Sequence, residues 1–369
     1  MSMRVSYKKQ ILFLFFGILI ILIFVEIGAR VYEQIVGDCF YLNSDATKKL
    51  DSEFKKKICQ QSDLLKLIEH PVVVYEPNQD LFSIHINSFG FRGKEFSFEK
   101  DTNTYRIFMV GGSTTFGSGA TSDEKTIPAH LQRKFVEAGY KIEVINAGVG
   151  ASDSREEAFK IRNLYKKFEP DLFIIYGGWN DSFKKLEESE LNIEISRFDE
   201  KNSKKSFLQL WISENLQNYR TVYVLYPILS HYTIASTLNS DVYLTNAKIW
   251  NNRWSLICSE NKKDGIDTII LLQPVVGSGK KQLTYDENRH AEYIKGKKTN
   301  EQLDVFSQVL PINFCTASFD LRSTFDDEQR AIFYDGGHMN DLGNEIMADT
   351  IYEKILPVIK NQLPRTEHD

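Results

Sequence analysis

Cysteine is scarce in this sequence, and what little there is carries no metal or redox signature. Four cysteines, Cys39, Cys59, Cys258 and Cys315, are spread over 369 residues. None belongs to a Cys-x-x-Cys pair or to a His/Cys cluster at metal-ligand spacing, which leaves zinc and dithiol chemistry without a scaffold. An excess of positive charge is missing too. The 45 Lys and Arg are outnumbered by 50 Asp and Glu, for a net charge of −5, so no basic face addresses nucleic acid. There is no internal repeat and no nucleic-acid module. The lysine of a phosphate-binding loop is also absent. Gly112 to Gly117 has the glycine spacing, but Ser118 and Gly119 stand where Lys and Ser/Thr would follow, so nucleotide phosphates would meet no cation.

Long apolar runs are absent with one exception. Ile11 to Val25 is fifteen consecutive apolar or glycine residues, and counting past Glu26 to Ala29 makes 19. That is longer than most signal-peptide cores and close to the ~20 residues that span a bilayer. A cleavage site would use Ala29 at −1 but would have the poorly suited Ile27 at −3, so an uncleaved anchor is expected, with a secreted, cleaved form as the alternative. Arg4, Lys8 and Lys9 precede the run while Glu26, Arg30, Glu33 and Asp38 follow it. This asymmetry puts the N-terminus in the cytoplasm and the body outside. Disulfides are then permitted, and four thiols allow three pairings. Cys39–Cys59 is favoured because both lie in the membrane-proximal segment, where such a loop closure contributes about 3 kcal/mol.

Residues 31–70 are charged, with lysine clusters at Lys48, Lys49 and Lys55 to Lys57, and read as a helical stalk or packing arm. His70 to Tyr75 is extended. Ile84 to Gly93 forms a strand and loop in which Arg92 is available for a structural ion pair or for a carboxylate near a site. From Tyr105 onward the pattern becomes strand, glycine turn and helix, repeated. Strands are expected at Arg106–Val110, Ile142–Asn146, Leu172–Tyr176 and Thr268–Leu272, with a shorter fifth at Phe319–Leu321. Helices are expected at Thr126–Ala138, with Pro128 in the first turn and Gly139 as a stop, at Asp153–Phe168, and at Leu342–Lys360. Continuous apolar strands separated by helices argue for an α/β fold with a doubly wound, mainly parallel sheet buried on both faces.

Two insertions break the alternation, at about 182–264 and 277–298. The first is rich in aromatics (Trp211, Tyr219, Tyr223, Tyr226, Tyr232, Tyr243, Trp250 and Trp254) and looks helical from Leu244 to Lys262; the second is polar. Both follow strands on the rim that carries Ser113, so they read as lid or substrate-shaping segments, or as solvated decoration. Aromatics make up 12% of the chain, which suits a carbohydrate- or lipid-facing surface.

Four strand ends present residues that make a hydrolytic site when taken together. Ser113 follows Gly111-Gly112 at the end of the first strand, where it reads either as a plain Gly-Ser turn or as a nucleophile flanked by free amides. Asp335-Gly336-Gly337-His338 can supply a general base and the carboxylate that orients it. Gly148 offers an unobstructed N–H and Asn180 a side-chain amide, so with the Ser113 N–H they make a three-donor oxyanion hole. A histidine base implies activity that falls as imidazole protonates, around pH 6.5 for an unperturbed side chain. His130, His231, His290 and His368 have no partner at useful spacing. Asn180-Asp181-Ser182 matches a glycosylation sequon, but an asparagine facing the site cannot carry a glycan.

These blocks resemble the SGNH (GDSL-like) hydrolase superfamily. They read Gly111-Gly112-Ser113-Thr114-Thr115, Asn146-Ala147-Gly148, Gly178-Trp179-Asn180-Asp181 and Asp335-Gly336-Gly337-His338, in family order and on strand ends. The first departs from Gly-Asp-Ser-Leu, with Gly112 for Asp and Thr114 for Leu. The resemblance covers about residues 105–360. It implies a three-layer α/β/α sandwich with a five-stranded, flavodoxin-like sheet at 105–363, after an anchor at 1–30 and a stalk and lead-in at 31–104. It implies Ser113, Asp335 and His338 as catalytic residues and Ser113, Gly148 and Asn180 as oxyanion donors, with no cofactor and no metal. The anchored arrangement, with Asn87 to Gly93 upstream, is similar to branches that act on cell-surface acyl groups. The expected activity is therefore an esterase removing small acyl groups from an acylated small molecule or glycan outside the cell. An O-acyltransferase using the same site and a non-catalytic cell-surface binding protein are the alternatives.

Overall fold

The computed structural model describes residues 6–36, 39–68, 72–183, 185–187, 240–296, 298–310 and 312–366. It divides into two units. In the first, one helix, α1 (Tyr7–Val36), takes in the whole apolar run. Its Tyr7–Gly28 stretch has a mean hydropathy of 3.0 and is long and apolar enough to cross a bilayer or to serve as a signal sequence. The helix continues to Val36 because Glu26, Arg30 and Glu33 are all good helix formers.

The second unit is Phe40–Asn192 with Leu238–Asp369. It opens with short 3₁₀ turns and α2 (Ser52–Gln61), whose N-cap Asp51 accepts from the N–H groups of Glu53 and Phe54. This segment packs onto the body. Asp45 N–H donates to Asp286 Oδ2 at 2.9 Å, Asn340 Nδ2 donates to the Ala46 carbonyl at 2.8 Å, and Tyr41 is buried edge-on against Tyr334. Two short antiparallel ladders follow, Leu67–Ile68 with Val74–Tyr75 and Gln79–Asp80 with His85–Ile86.

The main sheet has five parallel strands: β1 (Tyr105–Gly111), β2 (Ile142–Gly148), β3 (Leu172–Gly177), β4 (Asp267–Leu272) and β5 (Ala317–Asp320), in the order β2-β1-β3-β4-β5. Ile107 to Val110, Leu172 to Ile175 and Ile269 to Leu272 are all buried, so the central strands are covered on both faces, as their unbroken apolar runs require. Each such side chain contributes about 1.5–3 kcal/mol on burial. The strand order reverses direction across β1, and the right-handed crossovers that parallel strands follow as a rule would send helices on either side of that point to opposite faces. The reversal also opens a crevice at the carboxyl ends of β1 and β3, where sheets of this winding bind ligands.

Ser113–Phe116 (α3) is a single turn directly after β1. Thr126 caps α4 (Ile127–Glu137), with Pro128 in its first turn. The helix expected over Asp153–Phe168 begins as α5 (Ser154–Lys160), capped by Asp153, then widens to a π turn over Ile161–Tyr165 and closes in a 3₁₀ turn. The first insertion ends in α6 (Ser240–Lys263). Of its aromatics, Tyr243, Trp250 and Trp254 are core residues, Trp250 stacking on Phe306, so these three are not substrate-facing. Trp211, Tyr219, Tyr223, Tyr226 and Tyr232 lie outside the described residues. The second insertion, read as a polar lid or substrate-shaping segment or as solvated decoration, holds α7 (Tyr285–Gly296) and leads into an unexpected α8 (Thr299–Gln308). Ile294, Leu303 and Phe306 anchor these helices in the core. The closing helix is α9 (Asp341–Ile359), capped by Asn340. A disulfide joins Cys258 on α6 to Cys315 before β5. It is the bridge compatible with the favoured Cys39–Cys59 pairing, and none of the four cysteines is a free thiol.

Candidate active site

β1 ends where Gly111 and Gly112 bring its backbone against the β3 end. A Cβ on Gly112 would sit 2.5 Å from Asn180 Nδ2, so a side chain here would push the Asn180 amide from its place. Ser113 then opens α3, where its N–H has no carbonyl of the same helix to meet. The other end of the turn is held by Arg92. Its guanidinium donates to the carbonyls of Phe116 (3.2 Å), Gly117 (2.7 Å) and Ser83 (2.7 Å) and pairs with Asp123 at 2.7 Å. Arg92 therefore braces the serine turn from below, as a structural ion pair.

The loop before α9 brings the histidine to the serine. His338 Nε2 lies 2.7 Å from Ser113 Oγ, and His338 Nδ1 lies 2.7 Å from Asp335 Oδ2. Asp335 Oδ1 accepts the N–H groups of Gly337 (2.9 Å) and His338 (2.8 Å). Burial of Asp335 works to raise its pKa, but His338 and the two backbone donors outweigh it and hold the carboxyl below its ordinary range. An ionised Asp335 can only accept, so Nδ1 carries the ring proton and Nε2 faces Ser113 Oγ as the acceptor. The imidazole is flanked by Trp179, edge-on at 5.1 Å, and by Tyr334, stacked at 5.7 Å, whose hydroxyl donates to the Ser118 carbonyl.

Asn180 stands at the end of β3 beside Gly112. One hydrogen of its amide goes to the Ser152 carbonyl at 2.7 Å, and the second remains for another acceptor. Gly148 differs from expectation. Its N–H donates to Asn146 Oδ1 at 3.1 Å, so that donor is already engaged. What Gly148 supplies is clearance, since a Cβ there would fall 2.1 Å from Phe116 N and 2.6 Å from the Thr115 carbonyl carbon. Among the described residues, neither His130 nor His290 has a hydrogen bond to Ser113, His338 or Asp335; His290 packs edge-on against Phe40 and feels the Asp335 charge. His231 and His368 lie outside the described residues. Among the described residues no cluster of His, Cys, Asp or Glu could hold a metal ion.

A family model for GDSL-like lipases/acylhydrolases matches residues 107–351. The chain belongs to that family. This GDSL-like acylhydrolase is thus an ester hydrolase built on the SGNH fold. Among solved structures it is similar to a lipase/acylhydrolase from Enterococcus faecalis, with 14% identity over 72% of this chain and 100% of that one and a TM-score of 0.41. An acetyl xylan esterase is 14% identical over 68% of this chain and 99% of that one, with a TM-score of 0.40. An acetylxylan esterase from Geobacillus stearothermophilus is 13% identical over 68% and 94%, with a TM-score of 0.39. No curated protein matches the chain.

Sequence inspection missed a buried carboxylate that shapes the acylhydrolase's histidine loop. Glu287 on α7 receives the N–H groups of Ile332 (2.9 Å), Phe333 (3.1 Å) and Thr284 (2.9 Å), and Lys281 Nζ at 2.9 Å. Glu287→Ala would strand the buried Lys281 ammonium and these amides. Its unfolding free energy is expected to fall by about 3–5 kcal/mol in denaturant titration. A loss under about 1 kcal/mol would show that the carboxylate is not structural.

Proposed function

We propose that Ser113 is the nucleophile of this esterase, His338 its general base and acid, and Asp335 the group that fixes the imidazole. The observation that carries this is the continuous Asp335–His338–Ser113 line with 2.7 Å at each link. Ser113 Oγ attacks the ester carbonyl while its proton passes to His338 Nε2. The oxyanion is received by the Ser113 N–H and by the free hydrogen of the Asn180 amide, without help from Gly148. Collapse expels the alcohol, which takes the proton back from His338. Water then repeats the cycle on the acyl-enzyme.

The substrate we assign is a small acyl ester, acetyl-like, on an extracytoplasmic glycan. The extracytoplasmic part of this reading is supported by the apolar α1 with its charge asymmetry, which we read as an anchor with the body outside, and by the Cys258–Cys315 disulfide, a bond favoured in oxidising compartments. The test is hydrolysis of p-nitrophenyl acetate and of an acetylated oligosaccharide by the full chain in detergent, with organophosphonate labelling of Ser113. Labelling at Ser113 with acetate release from the oligosaccharide is expected. No labelling in folded protein would overturn the nucleophile assignment.

The pH profile has a defined sign. Asp335, held low, loses its charge only beneath the ordinary carboxylate value of about 3.9. As pH falls from neutrality, Asp335 therefore stays ionised and adds no second protonation, so the acid limb of log kcat/KM is expected to have a slope no greater than one. A limb of slope two would show that a second group must be ionised. Asp335→Asn is expected to lower kcat by about 10⁴-fold, because a neutral amide no longer enforces the tautomer with Nε2 unprotonated.

A further inference from the structure

Asn180 is followed by Asp181, which is 2% exposed. Its carboxylate accepts the Ser154 N–H at 3.2 Å and also the Ser154 hydroxyl. On its other side stands Arg253, from the middle of α6, 6% exposed. Nη1 of Arg253 lies 3.7 Å from Asp181 Oδ1 and donates to Ser154 Oγ, while Nη2 donates to the Glu187 carbonyl at 3.3 Å. Three segments meet on this guanidinium: the turn carrying Asn180, the loop after β2 whose Ser152 carbonyl holds the Asn180 amide, and the neck of the first insertion. A second tie lies alongside, where Leu186 N–H donates to Asn246 Oδ1 at 2.8 Å. A buried ion pair gains little stability over apolar packing, so its geometry, with a planar fork bridging the Asp181 carboxylate, the Ser154 hydroxyl and the Glu187 carbonyl, points to placement as its purpose.

We infer that Arg253 is a positioning residue for the reaction: acting through Asp181 and Ser154, it sets the Asn180 amide and ties the first insertion to the oxyanion site. The inference rests on Asn180 being an oxyanion donor. Burial draws the guanidinium pKa down to about 10, against the pull of Asp181, which still leaves it charged wherever the enzyme is assayed. A lysine at this position keeps the charge but loses the fork, so it cannot hold Asp181, Ser154 and Glu187 together.

The test is a double-mutant cycle on full-length protein, with p-nitrophenyl acetate and melting curves recorded for every variant. Asn180→Ala alone is expected to lower kcat by about 10²–10³-fold, the loss seen when one oxyanion donor is removed. Arg253→Lys is expected to lower kcat about 30-fold with KM changed less than about twofold, the mark of a contact made only in the transition state. In the Asn180→Ala background Arg253→Lys should change kcat by less than about twofold, because the amide it positions is gone. Arg253→Met, an apolar replacement, should repeat the pattern if it folds. Equal losses in both backgrounds, or a folded Arg253→Lys protein with unchanged kcat, would overturn the inference. A separate failure is readable as well. Asn180→Ala at the wild-type rate would remove the donor assignment on which the inference stands.

Discussion

Ser113→Ala is expected to lower kcat for p-nitrophenyl acetate by about 10⁴-fold or more while leaving the unfolding free energy within about 0.5 kcal/mol. The two effects separate because the hydroxyl's one described partner is His338 Nε2, at 2.7 Å. The turn around it is held by other groups: Arg92 on the carbonyls of Phe116 and Gly117, and backbone bonds from Gly117 and Ser118 to the Ser113 carbonyl, each 2.9 Å. Removing Oγ deletes the attacking atom and leaves this frame in place. Residual activity would come from water held by the oxyanion donors. A folded Ser113→Ala protein that still turns over at the wild-type rate would assign the hydrolysis to another group.

Gly148→Ala is expected to be the most damaging single-methyl addition at the site. The new Cβ would meet Phe116 N at 2.1 Å, the Thr115 carbonyl carbon at 2.6 Å and Phe116 Cα at 2.7 Å. All three are backbone atoms, so no rotamer change relieves the contact; either β2 or α3 must move. Overpacking of this kind costs about 1–3 kcal/mol, and more where backbone is displaced. Moving α3 carries Ser113 away from His338, and a misplacement of about 1 Å costs roughly 10²-fold in rate. The variant is therefore expected to lose about 10²–10³-fold in kcat/KM together with a fall in melting temperature. Wild-type kcat/KM in Gly148→Ala would show that α3 can shift without losing its alignment.

That variant also marks what the sequence makes legible and what it hides. Gly148 stands out in the sequence because a glycine follows a strand, but composition does not say whether the chain needs its N–H or its missing side chain. Only the approach of Phe116, distant in sequence, decides for clearance. β1, β3 and β4 were legible because a strand buried on both faces has to be an unbroken apolar run. α4 was legible from Thr126, Pro128 and Gly139, local signals that act within one turn. Ser113 was legible as a serine at a strand end, and Asp335 and His338 as an Asp-x-x-His pair, which the structure places in the loop before α9 and not at the end of a strand.

The rest depends on contacts that leave no local trace. Glu287 looks like one more surface glutamate on a polar stretch, and only the amides of Ile332 and Phe333 make it an organiser of the histidine loop. Arg253 sits among the lysines and glutamates of an insertion, and its partners Asp181 and Ser154 lie 72 and 99 positions away. Trp250 and Trp254 suggested a ligand-facing surface by their chemistry, but the space between α6 and α8 uses them as core. α7 and α8 were missed because Ile294 is the one buried apolar residue of α7, while Leu303 and Phe306, though at helical spacing, make a stripe of only two in α8.

The packing of Tyr41 bears on how a soluble form of the enzyme should be cut. Tyr41 lies edge-on to Tyr334, which is stacked on the His338 ring, and the Ala46 carbonyl takes a hydrogen bond from Asn340, the cap of α9. A truncation that removes α1 and begins at Phe40 keeps both supports. One that begins at Lys48, discarding the preceding residues as a tether, strips a wall from behind the imidazole and leaves Asn340 Nδ2 short of an acceptor. Tyr41 and Ala46 thus belong with the catalytic unit that begins at Phe40, as part of the wall behind the imidazole.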